Sequence, residues 1–191
     1  MSLHTPTISH LWNLGYDYEG NKREMSSNIP VSAFTCKSNE GIQNRLLSNV
    51  DIMDSDKSMT AIALWDTGAT GTCISYEVVK HLGLKPTGKK NIQTPSGKKE
   101  VFTYLVSVTL PNDVVIPDVE VCDSTIGDQG IGMLIGMDII TRGDFAVSNY
   151  EGKTVYSFRV PSITITDYVL QHRIKDKIGT HGKGKRKSKR K

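Results

Sequence analysis

AIALWDTGATGTCIS, residues 61–75, is the stretch of this sequence that decides the fold. Five mostly apolar residues precede Asp66, and Thr-Gly-Ala-Thr-Gly follows it. This pattern predicts an acid at the end of a buried strand, where a lone carboxylate would be costly to ionise. Asp66 is therefore a candidate for chemistry, although an aspartate can also simply start a turn.

Outside this stretch, many short apolar runs are separated by turn residues. Alternation and length predict strands over 31–38, 59–65, 114–121 and 132–136, and hairpins over 91–110 and 145–160. Helical spacing predicts short helices over 75–84, with Ser75 as N-cap and Gly83 as stop, and over 137–143. Residues 42–53 fit either a helix or a strand. Short strands with brief helices indicate a mainly β domain, a small barrel or folded sheet.

A second motif, Leu134-Ile135-Gly136 followed by Met-Asp-Ile-Ile, comes after the 91–110 hairpin. Together with Leu64-Trp65-Asp66-Thr67-Gly68-Ala69-Thr70, and in this order, it resembles the retropepsin-like aspartic peptidases, the family of the retroviral proteases and their bacterial relatives. Three elements in the right order are more specific than the Asp-Thr-Gly triplet alone. The resemblance covers about residues 30–160.

The resemblance implies a small closed acid-protease β-barrel with one or two short helices and one lobe per chain. It implies an aspartic endopeptidase in which two Asp66 carboxylates, one from each chain of a homodimer, share a proton and activate water against a polypeptide substrate. Such chemistry needs no cofactor and no metal. Only one Asp-Thr-Gly motif occurs in the chain, so a complete site requires two copies.

The family's other site residues carry over by position. Thr67, Gly68 and Ala69 would form the active-site loop, with Thr67 hydrogen bonding across the dimer. Ile135 and Gly136 would support that loop, Gly136 by allowing close packing. The hairpin tip would be the flap that closes over substrate, and it consists of Thr94, Pro95, Ser96 and Gly97. Each assignment has a plain alternative, either turn chemistry or an ordinary exposed hairpin.

The chain departs from the retroviral pattern at two positions that could form a pair. Retroviral enzymes often have an acid or asparagine four positions after the catalytic Asp and an arginine just after the later glycine, whereas this chain has Thr70 and Met137. The loop is therefore expected to be braced differently. Asp138 is expected to cap the short helix or hydrogen bond locally, not to act in catalysis.

The sequence predicts three segments: an irregular N-terminal arm (1–29), the protease-like domain (30–162) and a basic tail (163–191) with a short helix followed by disorder. The last ten residues contain seven Lys or Arg, and subtracting these charges from the formal net charge of +4 leaves −3 for the rest. Two interpretations of the tail are open: contact with nucleic acid or an acidic surface, and a solvated tail that aids solubility.

Cysteine and histidine content argues against other classes of site. Cys36, Cys73 and Cys122 are too scattered for a disulfide framework, and Cys73 and Cys122 are expected to be buried packing residues. The five histidines lack ligand spacing. No stretch approaches the length of a membrane span, and a cytoplasmic location is expected.

Two rival functions remain open at this stage. A catalytically silent peptide-binding or dimerisation module would keep the fold without turnover. A nucleic-acid-binding protein would act through its tail and bind independently of Asp66, with a steep salt dependence.

Overall fold

The computed structural model describes residues 31–94, 97–169 and 172. Residues Val31–Ile163 form one compact unit. The predicted N-terminal arm and most of the basic tail lie outside the described residues. Within the described ranges, no helix is both long enough and apolar enough to cross a membrane.

Ten strands, two short α-helices and two 3-10 helices make up the described part of the unit Val31–Ile163. The strands are β1 (Ser32–Lys37), β2 (Leu47–Asp54), β3 (Lys57–Trp65), β4 (Cys73–Ser75), β5 (Gly88–Thr94), β6 (Gly97–Leu110), β7 (Val114–Ser124), β8 (Met133–Ile135), β9 (Asp144–Ser148) and β10 (Val155–Val160). The helices are α1 (Tyr76–Leu82), α2 (Met137–Ile140), η1 (Thr125–Gln129) and η2 (Tyr150–Gly152).

Six strands form a closed barrel in the order β2-β3-β8-β4-β7-β6, because β6 also pairs with β2. β5 joins the outer edge of β6 and so extends from the ring as a hairpin arm. Most pairings are antiparallel, but β3 runs parallel to β8 and β4 runs parallel to β7. The predicted fold, a small closed β-barrel with two short helices, is confirmed.

The barrel interior follows from strand alternation. In β2 the side chains of Val50 and Ile52 are buried while Asp51 between them is exposed, and in β3 Ala61 and Ala63 are buried on either side of exposed Ile62. α1 covers one side of the core through Val78 and Leu82. The other fully buried large side chains include Ile74, Val108, Leu110, Val114, Met133, Ile135 and Ile139.

A second sheet, in the order β1-β10-β9, packs on the barrel through aromatic side chains. Trp65 stacks on Phe145 with ring centroids 5.2 Å apart. Its indole N–H donates to Ser48 Oγ at 3.0 Å, which satisfies the polar atom of a buried ring. Trp65 is 4% exposed and belongs to the core. Three further rings complete the cluster: Phe34, Tyr156 and Phe158.

The predicted 145–160 hairpin is present as β9 and β10. In the structure β10 pairs with β1 of the same chain, from Ser32↔Val160 to Lys37↔Val155. The hairpin therefore forms a sheet with the chain's own first strand and is not part of the barrel ring.

Most of the predicted strands and helices are present in the structure, at about the predicted positions. The ambiguous 42–53 segment becomes a strand only from Leu47. β4 and η1 were not foreseen, since a three-residue strand is too short to show a period. The predicted caps of α1 are present: Ser75 Oγ accepts from Val78 N at 3.4 Å, and Gly83 is left-handed with φ 66°.

Candidate active site

Asp66 lies where β3 leaves the barrel beside the parallel strand β8. Its backbone N–H donates to Ile135 O at 2.9 Å, which continues the β3–β8 ladder by one residue. Its Oδ1 accepts from Gly68 N at 2.8 Å, and its carbonyl accepts from Ala69 N at 3.3 Å. Asp66 is half-buried. The turn interpretation and the chemical interpretation are thus compatible, because the turn itself orients the carboxylate.

Gly136 lies against the backbone of this loop. A Cβ on Gly136 would lie 2.6 Å from both the carbonyl carbon and the oxygen of Gly71, closer than real contacts allow. Met137 N donates to Ala69 O at 2.9 Å in the same region. Two backbones therefore meet here without a side chain between them, which is the geometry expected for the Ile135-Gly136 support.

A partly buried polar network braces the far end of the loop. Thr72, fully buried, donates its hydroxyl to Asp138 Oδ1 at 2.7 Å and accepts from Gly136 N at 3.1 Å. Its backbone N–H donates to Asp138 Oδ2 at 3.0 Å. Asp138 Oδ1 also accepts from Ile139 N at 3.0 Å in α2. Asp138 thus hydrogen bonds locally to Ile139 and also to the distant Thr72. Together, Thr72 and Asp138 tie the loop to α2.

Thr72 was not identified from the sequence. A threonine between Gly71 and Cys73 gives no periodic signal, and its partner Asp138 lies far along the chain. One hint was present in the sequence. Thr70 and Met137 replace the acid or asparagine and the arginine of many retroviral enzymes, which predicted a different brace but not the residues that form it.

A cavity of about 670 Å³ opens beside Asp66. Its walls come from the active-site loop, from β5 of the hairpin and from the ends of β4 and β7. Residues on these walls include Asp66, Ala69, Gly71, Lys90, Ile92 and Gln93. This volume is within the usual range for ligand sites. A groove of about 760 Å³ elsewhere on the molecule, lined in part by Asn49 and Asn112, does not include the Asp66 loop.

Two of the four predicted flap residues, Thr94 and Gly97, lie at the ends of the paired strands β5 and β6. Thr94 pairs with Gly97 in register, and Gly97 has φ 116°, a conformation that favours glycine. Pro95 and Ser96 lie outside the described residues. The hairpin is present and its β5 strand lines the Asp66 cavity, while closure over a substrate stays a prediction.

Thr67 is exposed next to Asp66. Its hydrogen bond across a dimer stays a prediction, because the structure describes one chain.

Two thiols share the cavity wall with the acid. Cys73 on β4 lies directly opposite Cys122 on the parallel strand β7, and both line the cavity. Hydrogen bonding from the Cys73 thiol, helped by the charge of Lys90, lowers the pKa of Cys122 to about 7 although burial opposes this. The same hydrogen bond, together with burial, raises the pKa of Cys73.

The structure modifies the expectation that both cysteines are buried packing residues. Cys122 is buried, but Cys73 is only partly so. Nothing in their local sequence joins them, because the contact arises from the pairing of two distant strands.

Metal-binding groups are sparse around this site. Across residues 31–94, 97–169 and 172, no three His, Cys, Asp or Glu side chains lie together as a metal site requires.

Comparisons with known proteins bear on the same residues. Residues 55–142 match a family model described as "gag-polyprotein putative aspartyl protease". This range contains Asp66, the hairpin and Gly136, so the resemblance inferred from the sequence is confirmed. No curated protein is significantly similar to the chain in sequence.

Several solved structures are similar to the chain. A retropepsin-like aspartic protease from Rickettsia conorii is 18% identical, with 69% of this chain and 94% of that chain covered and a TM-score of 0.47. The EIAV protease complexed with the inhibitor HBY-793 is 19% identical, with 54% and 91% covered and a TM-score of 0.43. The retroviral protease-like domain of Ddi1 from Leishmania major is 16% identical, with 52% and 79% covered and a TM-score of 0.36.

Proposed function

Because residues 55–142 carry the retropepsin-like aspartic protease fold and family signature, we propose that the chain is an aspartic endopeptidase that works as a homodimer. Its substrate is a polypeptide, bound in extended form. The proposal rests mainly on one observation: Asp66 is fixed by its own loop at the mouth of a cavity that the β5–β6 hairpin partly lines.

The loop around Asp66 suits an acid that must be positioned accurately. Gly68 N–H holds one carboxylate oxygen at 2.8 Å, the β8 backbone holds the Asp66 amide, and Gly136 brings the second motif into direct backbone contact. One restraint therefore comes from the loop itself, and the other two come from β8 and from the residue that follows it. Preorganisation of this kind lowers the cost of reaching a reactive geometry.

The mechanism needs two such carboxylates. In the dimer, Asp66 and Asp66 of the partner subunit share one proton, because two negative charges so close together are unfavourable. The ionised carboxylate accepts a proton from water, and the protonated one donates a hydrogen bond to the scissile carbonyl. The water oxygen then attacks the carbonyl carbon, and no covalent enzyme intermediate forms.

The hairpin supplies the second half of the site. Its β5 strand places Lys90, Ile92 and Gln93 along the cavity, and the tip formed by Thr94, Pro95, Ser96 and Gly97 would close over the substrate. An extended peptide can bind between hairpin and loop through backbone hydrogen bonds, as an added strand. Closure would exclude water other than the nucleophile.

Cleavage of a diverse peptide library at several pH values tests the proposal. The parent and Asp66→Asn are compared, with Asp56→Asn as matched control because Asp56 is an exposed acid in the β2–β3 turn. We expect cleavage by the parent and the control, best in mildly acidic solution, and none by Asp66→Asn. Sedimentation of all three proteins gives their oligomeric states.

Two outcomes would contradict the proposal. If parent and Asp66→Asn both remain folded dimers, bind peptides and cut none at any pH, the chain is a peptide-binding or dimerisation module with a silent site. If Asp66→Asn cuts as fast as the parent, the cleavage comes from another source and the proposal is wrong.

A further inference from the structure

We propose that Cys73 and Cys122 form a redox-active dithiol in the cavity wall beside Asp66. The pair is a modification site that takes a small disulfide, such as oxidised glutathione, and closes to an intramolecular Cys73–Cys122 disulfide. This inference concerns the thiols themselves and does not depend on peptidase activity.

The geometry suits a disulfide. Cys73 and Cys122 are register partners on adjacent parallel strands, and both side chains face the same cavity. Neighbouring strands lie about 4.8 Å apart, and disulfides join residues whose Cα atoms are about 4.4–6.8 Å apart. Each thiol also perturbs the pKa of the other, as expected for two sulfur atoms that lie close together. Bond formation therefore needs no large movement of the backbone.

Reactivity is divided between the two sulfurs. The Cys122 thiolate is favoured by the Cys73 hydrogen bond and by Lys90, and thiolates are the nucleophiles in disulfide exchange. Cys73 keeps its proton longer and is suited to the second, resolving step. The cavity of about 670 Å³ gives a small disulfide a route to both.

The exchange proceeds in two balanced steps. The Cys122 thiolate attacks one sulfur of oxidised glutathione, whose S–S bond breaks and releases one glutathione thiolate. That thiolate takes up the proton from Cys73. The Cys73 thiolate then attacks the Cys122 sulfur and releases the second glutathione, which is protonated by solvent. Overall, two cysteine thiols are oxidised to one disulfide and one oxidised glutathione is reduced to two glutathione molecules.

The disulfide would change the site that contains it. Cys73 follows Thr72, the brace of the active-site loop, and Cys122 N donates to Thr72 O at 3.2 Å. A covalent link between β4 and β7 would therefore restrain the loop and add a bond to the cavity wall. Because Cys73 is only partly buried and both cysteines line the cavity, a thiol that enters the cavity could reduce the bond again.

Peptide mapping of the full chain tests the proposal directly. The protein is equilibrated with glutathione buffers of increasing oxidised fraction, quenched with an alkylating agent, digested and analysed by mass spectrometry. We expect a linked peptide pair containing Cys73 and Cys122, a loss of two hydrogens from the intact mass, and the loss of two alkylation sites. Cys36 is the internal control, since it is also partly buried.

Variants separate the two roles. Cys73→Ser should accumulate a glutathione mixed disulfide on Cys122, whereas Cys122→Ser should show much less modification of Cys73. If both thiols of the parent stay alkylatable across the series, or if the bonds found involve Cys36 or link two chains, the proposal is overturned. These readouts are chemical, so a protein without peptidase activity would still give them.

Discussion

Two small residues, Gly136 and Thr72, hold the loop that carries Asp66. Gly136 leaves room for the Gly71 backbone, and Thr72 joins Asp138 to the Gly136 amide by hydrogen bonds. The importance of Gly136 could be inferred from its motif, but that of Thr72 could not. A close approach of two backbones requires a glycine, and a glycine within a motif can be recognised in the sequence. A threonine that hydrogen bonds to a distant residue looks like any other threonine.

Gly136→Ala should destabilise the fold, because its new Cβ would lie 2.6 Å from Gly71 backbone atoms that cannot move independently. We expect a loss of about 1–3 kcal/mol in the free energy of unfolding, as for other overpacked sites. Urea denaturation measures it. Gly71→Ala is the matched control, since a Cβ there meets no atom within 4 Å. Equal stability of the two variants would contradict the close approach.

Thr72→Val should cost about 1–3 kcal/mol, because it keeps the shape of the side chain but leaves Asp138 Oδ1 and Gly136 N without the hydroxyl in a buried site. Thermal and urea unfolding give the value. Thr141→Val serves as control, since the Thr141 hydroxyl bonds Met137 O at an exposed position. A Thr72→Val protein as stable as the control would show that the network is not a brace.

At the scale of elements, the β9–β10 hairpin is fastened at its open end by Asp144. Arg159 and Ser162 donate to its carboxylate, and Ile163 N donates at 3.2 Å. Burial acts to raise the pKa of Asp144, but the hydrogen bonds from Ser162, Arg159 and Ile163 together outweigh it and lower the pKa. The hairpin could be predicted from its turn residues. The anchor could not, because it joins the first residue of β9 to β10 and to the residues after β10.

The lowered pKa of Asp144 predicts a pH dependence of stability. A carboxylate with a folded pKa below its unfolded value of about 3.9 stabilises the fold above that pH, and this contribution is lost as pH falls through the folded pKa. Asp144→Asn should therefore be less stable than the parent at neutral pH, with a difference that shrinks in acid. Urea midpoints from neutral pH downward measure this effect, with Asp56→Asn as control. A difference independent of pH would contradict the assignment.

At the scale of the whole molecule, one chain places one Asp66 at the mouth of one cavity, and the proposed chemistry needs two. The barrel closes within the chain and β1 pairs with the chain's own β10. A second copy is therefore needed for the carboxylate pair and not for closure of the barrel.

Mixing experiments test the shared site. If parent and Asp66→Asn chains exchange freely, equal amounts at constant total concentration should give about one quarter of the parent activity, because only parent–parent dimers hold two carboxylates. Initial cleavage rates after equilibration measure it, and mixing with Asp56→Asn should leave the activity unchanged. Half of the parent activity would indicate that each chain works alone.

Local sequence determined most of the strands, both short helices, the hairpin positions and the placement of Asp66 and Gly136, but not β4. Alternation, caps and glycines act over a few residues and are visible in the chain itself. Only the tertiary structure decided that Thr72 meets Asp138, that Cys73 faces Cys122 and that β10 pairs with β1. These contacts depend on the register of strands far apart in the chain. Barrel closure sets the register of β4 and β7, whereas β1 and β10 pair in the separate sheet, and no local pattern encodes either pairing.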